Sequence, residues 1–128
     1  MTDPLDRWHE IVRTQDASLI GPLLADDVVF RSPAVHTPQE GRPVVTAYLT
    51  AALTVLGPGL TYHRQWREPS SAVLEFTTQI DGIDVHGVDV IEWDDESRIV
   101  DFTVMVRPVK GLQILIERMG AELMRAQA

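Results

Sequence analysis

Residues Ala72–Trp93 read AVLEFTTQIDGIDVHGVDVIEW. In the first nine, Leu74, Phe76, Thr78 and Ile80 alternate with Val73, Glu75, Thr77 and Gln79. That period of two marks a strand with one face covered. Asp81-Gly82 is a strong two-residue hairpin signal, because both residues tolerate the positive φ of a tight turn. Ile83 to Trp93 is the returning strand. The segment therefore predicts an antiparallel ribbon.

Outward from the ribbon the pattern continues. Asp94-Asp95-Glu96-Ser97 makes the next turn, and Ile99 to Arg107 is a last strand ended by Pro108. Asp94-Asp95-Glu96 lacks the spaced oxygens and glycine of a calcium loop, so it reads as a polar turn. Val100, Phe102, Val104 and Val106 form a wholly apolar face of the last strand; Asp101, Thr103, Met105 and Arg107 form a mixed one. Upstream, Leu60 to Arg67 is rich in β-favouring residues. Downstream, a helix over Lys110 to Met124 places Leu112, Leu115, Ile116, Met119 and Leu123 on one side.

The first half reads as mainly helical. Asp3-Pro4 is an N-cap followed by proline at the first helical position, and Leu5, Trp8, Ile11 and Val12 form a stripe. Asp16 caps a second, short helix that Gly21-Pro22 is expected to end. A short strand follows over Val28 to Ser32, closed by Pro33, and then a loop from Ala34 to Gly41. A helix after Pro43 carries Val45, Tyr48, Leu49, Ala52, Leu53 and Leu56 on one face and stops at Gly57-Pro58-Gly59. Strands gathered in the second half indicate an antiparallel α+β domain, expected to be a single one over residues 1–128.

Composition narrows the function. The chain has 128 residues, 45% hydrophobic and 23% charged, which is ordinary for a globular domain. A net charge of -8 disfavours nucleic acid and anionic membrane as partners. No cysteine is present, which excludes disulfides and thiolate chemistry. Nothing marks a bilayer span or an export signal, so a cytoplasmic location is expected. Ten arginines accompany one lysine, a bias typical of a high-GC bacterium.

The order of elements, with Leu24-Ala25-Asp26-Asp27-Val28-Val29-Phe30, the following Glu40-Gly41-Arg42 and the turn Ser97-Arg98-Ile99-Val100, resembles the NTF2-like superfamily. Its members include ketosteroid isomerases, SnoaL-like polyketide cyclases and limonene-epoxide hydrolases. The resemblance covers roughly Leu5 to Arg107 and implies a cone. A curved antiparallel sheet wraps helices around an apolar pocket, and the outer sheet face often forms a homodimer.

The same resemblance assigns positions. The isomerase general base falls on Ser32, a hydroxyl that cannot shuttle protons between carbons as a carboxylate does. The isomerase oxyanion tyrosine falls on Trp8, whose N–H donates one hydrogen bond but does not ionise. The neutral aspartic acid of the isomerases falls on Asp89, within the mostly apolar run Gly87-Val88-Asp89-Val90-Ile91. The acid-base aspartate of the epoxide hydrolases falls on Val104, which disfavours their water activation.

Read as residues, Asp89 shares a strand face with Val85, Gly87 and Ile91. If that face is concave, burial raises its pKa and lets it donate a hydrogen bond to a ligand carbonyl. The alternatives are an acid satisfied by Trp8, Ser32 or a buried arginine, or one turned outward. His36, in the loop after Pro33, is a candidate base on its titration range alone. No histidine pair has ligand spacing, so no metal and no cofactor is expected.

Two functions follow. The first is a binding site for a small hydrophobic molecule, or a SnoaL-like isomerase or cyclase with Asp89 as acid or oxyanion donor. Trp8, Val12, Phe30, Ser32, His36, Tyr48, Leu74, Phe76, Phe102 and Val104 are its expected lining. The alternative is a non-catalytic dimeric interaction module.

Overall fold

A computed structural model describes residues 3–127. The first helix, α1 (Pro4–Thr14), starts where the sequence signals it: the Asp3 side chain accepts the Leu5 N–H, with proline in the first turn. A 3₁₀ turn over Ala17–Leu19, capped by Asp16, leads into α2 (Ile20–Leu23). Gly21-Pro22 lies inside this short helix rather than ending it. Proline is tolerated there because the first turn of a helix leaves its N–H groups without intrahelical partners.

Strand β1 (Leu24–Arg31) begins four residues earlier than expected. Asp26 and Asp27 point outward at an irregularity in its pairing, which hid the strand's start from a simple alternation. The loop expected over residues 34–41 holds a two-residue strand, β2 (Gln39–Glu40), paired with β1. Gly41, at φ 96°, turns the chain into α3 (Arg42–Leu56). Arg42 ties that corner to β1, donating to the Leu24 carbonyl at 3.2 Å and pairing with Asp26 at 2.6 Å.

The second half forms β3 (Thr61–Glu68), β4 (Ser71–Ile80), β5 (Ile83–Trp93), β6 (Ile99–Arg107) and the closing α4 (Val109–Gln127). Asp81 and Gly82 both take positive φ, 52° and 78°, as the expected hairpin turn requires. The sheet order is β2-β1-β6-β5-β4-β3. The α+β class stands, and the sheet is curved and unclosed. It is mixed rather than wholly antiparallel, because β1 runs parallel to β6. Parallel neighbours need a long crossover, and here the chain between them carries α3 and four further strands.

The apolar sides of α1, α3 and α4 meet the inner sheet face in one cluster that includes Leu5, Ile11, Leu49, Phe76, Ile91 and Phe102. On β6, Ile99, Phe102 and Val104 are buried, whereas Val100 is only partly so. The inner face expected to begin at Val100 is displaced because pairing shifts between Glu92 and Trp93.

Candidate functional site

Asp89 sits near the middle of β5, paired with Leu74 on β4 and Val104 on β6. Both neighbours are aliphatic, and only 5% of Asp89 is exposed. An ionised carboxylate loses its hydration there without gaining a cation. Burial accordingly pushes the Asp89 pKa up to about 7, against a smaller lowering by one hydrogen bond from Tyr62.

Tyr62 supplies that bond from β3. Its O–H donates to Asp89 Oδ2 at 2.5 Å, and its oxygen accepts from Trp8 Nε1–H at 2.9 Å. The chain Trp8, Tyr62, Asp89 thus links α1, β3 and β5. Burial, followed by the adjacent Asp89 charge, raises the Tyr62 pKa well above the phenol range, so Tyr62 remains a donor. Asp89 Oδ1 takes no hydrogen bond from the protein, and no side-chain polar atom is sealed off unpartnered among the described residues. Asp89 borders a niche.

The niche measures about 30 Å³ and is lined by Trp8, Val12, Tyr62, Asp89, Phe102 and Val104, among others. It has room for roughly one water-sized group. Beyond it lies a larger chamber of about 220 Å³, whose walls include Phe30, Ser32, Tyr48 and Val104. Ala52, Leu56 and Val104 border both spaces. Edge-to-face packing of Trp8 on Phe102, centroids 5.0 Å apart, and a tilted Phe30–Tyr48 pair at 5.9 Å fix the aromatic walls.

Most residues expected to line a pocket border one of these two spaces. Three do not. Leu74 and Phe76 are fully buried beneath the niche and touch neither cavity. Gly87 explains the position of Phe76: a Cβ there would lie 2.7 Å from Phe76 Cζ, so the ring packs flat over the glycine. His36 is exposed and outside the chamber wall, because its loop turns outward after Pro33. Ser32 borders the chamber, with Oγ accepting the Ala34 N–H at 3.0 Å. Trp8 Nε1–H is committed to Tyr62, so it orients the tyrosine rather than a ligand.

Tyr62 was not singled out in the sequence. The signal was its place on the inner side of β3 beside Leu60; its distance from Asp89 depends on pairing across β4, where Tyr62 faces Phe76 and Phe76 faces Gly87. On the outer sheet face, Arg64 holds Glu75 through two 2.7 Å bonds, and His86 adds a third at 2.8 Å. Together they keep the Glu75 carboxyl far below the usual range. Arg31 pairs with Asp101 at 3.1 Å, while Arg107 meets the His86 ring. Among the described residues no group of three or more acids and histidines is placed to hold a metal ion, and no helix is long and apolar enough to cross a membrane.

The chain resembles proteins of known structure along nearly all its length. A steroid delta-isomerase from Pseudomonas aeruginosa is 44% identical, with 97% of this chain and 91% of that one covered at a TM-score of 0.92. An uncharacterised protein with a cystatin-like fold from Silicibacter pomeroyi is 35% identical over 97% and 87% of the two chains, with a TM-score of 0.89. An NTF2-like protein from Mesorhizobium loti, 20% identical over 82% and 88%, shares the fold at a TM-score of 0.73. Among curated protein sequences none matches. The SnoaL-like domain family matches residues 5–102. This chain therefore belongs to the SnoaL-like domain family, within the NTF2-like superfamily.

Proposed function

We propose that the protein binds a small apolar carbonyl compound and activates it as an isomerase- or cyclase-type enzyme. The ligand's oxygen occupies the niche beside Asp89, and its body fills the larger chamber. The observation that carries this reading is a buried carboxyl bordering a niche of mostly apolar walls, where burial pushes its pKa up to about 7. Neutral Asp89 donates a hydrogen bond to the carbonyl oxygen and stabilises the negative charge that develops there. Tyr62, oriented by Trp8, holds Oδ2 and leaves Oδ1 for the ligand.

The chamber wall offers hydroxyls at Ser32 and Tyr48 but no second carboxylate. Carbonyl activation is therefore the role proposed for Asp89, which donates to the carbonyl oxygen and takes no proton from carbon. The steroid delta-isomerase relative, at 44% identity, supports an isomerase-type role. Thermal stabilisation by a panel of steroids, polyketides and fatty acids tests the reading. A rise in Tm with carbonyl-bearing members, lost in Asp89→Asn, is expected. No shift with any member of the panel refutes it.

A second reading, a homodimer through the outer sheet face, is favoured by Trp66 and Met105. They are 51% and 57% exposed on that face, and buried Glu75 lies between their strands.

A further inference from the structure

Helix α4 contains two interior glycines that differ sharply. At Gly111 a Cβ would stand 2.9 Å from the Asp84 carbonyl oxygen, so close packing on the sheet requires glycine. At Gly120 a Cβ would meet nothing within 4 Å. Its backbone is not in the positive-φ region either. A helix-interior glycine lowers stability relative to alanine, and neither packing nor conformation demands this one.

Gly120 does, however, border the larger chamber, one turn from Ile116 and beside Met119 and Leu123. Pro33, Ala34 and Val35 line the same chamber. Ile116 and Val35 are 43% and 50% exposed, so apolar lining residues of the chamber reach solvent on α4 and on the residue 33–35 loop. At about 220 Å³ the chamber is smaller than the roughly 300–1,000 Å³ usual for drug-sized ligands. Gly120 is the exposed position on this wall where no side chain stands, with free space where a Cβ would be.

We infer that Gly120 is the portal of the chamber and sets ligand length, admitting apolar ketones whose far end passes out between α4 and the residue 33–35 loop. This rests on the ligand reading above. Leu, Ile or Met at this position would close the notch and confine the site to compact ketones.

Two probes with the same head group test it: androstenedione, a four-ring enone, and octalone, a bicyclic enone matching its first two rings. Affinities are measured calorimetrically for the native protein, Gly120→Leu, Gly120→Ala and the exposed-helix control Ala121→Leu. Gly120→Leu is expected to weaken androstenedione binding by about tenfold or more while octalone stays within about twofold. Gly120→Ala is expected to raise Tm by about 2–5 °C with both affinities kept. Ala121→Leu should change neither affinity. If Gly120→Leu does not fold, Gly120→Gln makes the same block. Androstenedione binding unchanged in the blocked variant overturns the portal and leaves the site standing. Equal loss of both probes also overturns it, since the chamber itself is then filled. Binding of neither probe by the native protein overturns the ligand reading and the portal together.

Discussion

The Tyr62 hydroxyl lies 2.5 Å from Asp89 Oδ2, and it is the hydrogen-bond donor that carboxyl has among the described residues. Two strands that are not neighbours are joined by it, since β4 lies between β3 and β5. The bond favours the ionised form of Asp89, while the aliphatic neighbours Leu74 and Val104 favour the neutral form more strongly. A carboxyl poised near neutrality results from that opposition.

Tyr62→Phe removes the donor and leaves Trp8 Nε1–H without its acceptor. The variant is expected to lose ~1–3 kcal/mol of stability, the usual penalty for stranding buried polar groups. The loss should grow at alkaline pH, where Asp89 is ionised and has no donor. Urea unfolding at pH 6 and pH 9 measures both effects.

The raised pKa of Asp89 fixes the sign of one pH dependence. The folded protein holds this proton up to about pH 7, whereas the unfolded chain releases it near the ordinary aspartate value of 3.8. Between those values the folded state binds more protons, so this group's contribution favours folding in acid and is lost as pH rises to about 7. Linkage sets a ceiling of ~4 kcal/mol on the effect. Asp89→Asn keeps an acceptor for Tyr62 and removes the titration. It is expected to be more stable than the native protein at pH 8 and nearly equal at pH 4, as read from chemical denaturation. Glu75, held low by Arg64 and His86, acts oppositely: its contribution is lost as pH falls below the ordinary carboxylate range.

Ser32 stands where the isomerase resemblance implies a carboxylate base, on the wall of the larger chamber. Ser32→Asp supplies the missing second acid–base group on that wall. Turnover of a 3-oxo-5-ene steroid is expected to rise at least ~100-fold over the native protein, the lower end of what a positioned base contributes. Steady-state absorbance at the conjugated enone band follows the product. An unchanged rate would show that Asp89 does not polarise the ketone in a geometry this base can use.

On the outer sheet face, Met105→Glu places a charge beside Val88 and Glu75, in register across β5 and β4. If that face is buried between two copies, the variant is expected to sediment as a monomer where the native protein sediments as a dimer. A desolvated like-charge contact costs several kcal/mol. Native and variant proteins of the same sedimentation coefficient would exclude this face as the interface.

Much of the architecture was legible because one pattern carried it. Asp81-Gly82 and the alternation on either side fixed the hairpin of β4 and β5, and β5 and β6 run as expected over Ile83–Trp93 and Ile99–Arg107. Asp3-Pro4 fixed the first helix start. The parallel β1–β6 pair was not legible, because alternation within a strand does not say which neighbour it takes. At the site, Asp89 stood out as a charge in an apolar run. Tyr62 did not, because a tyrosine in a strand is unexceptional until two registers bring its hydroxyl to a carboxyl. The division of the cavity into niche and chamber depends on side-chain volumes at Ala52, Leu56 and Val104, three positions drawn from two elements.

The most direct measurement is a ¹³C NMR titration of the Asp89 side-chain carboxyl, with and without saturating octalone. The account predicts a midpoint near 7 in the free protein, moved upward when the enone binds, because a ligand oxygen that accepts from Asp89 favours its neutral form. A midpoint in the ordinary carboxylate range, unmoved by the enone, would contradict it.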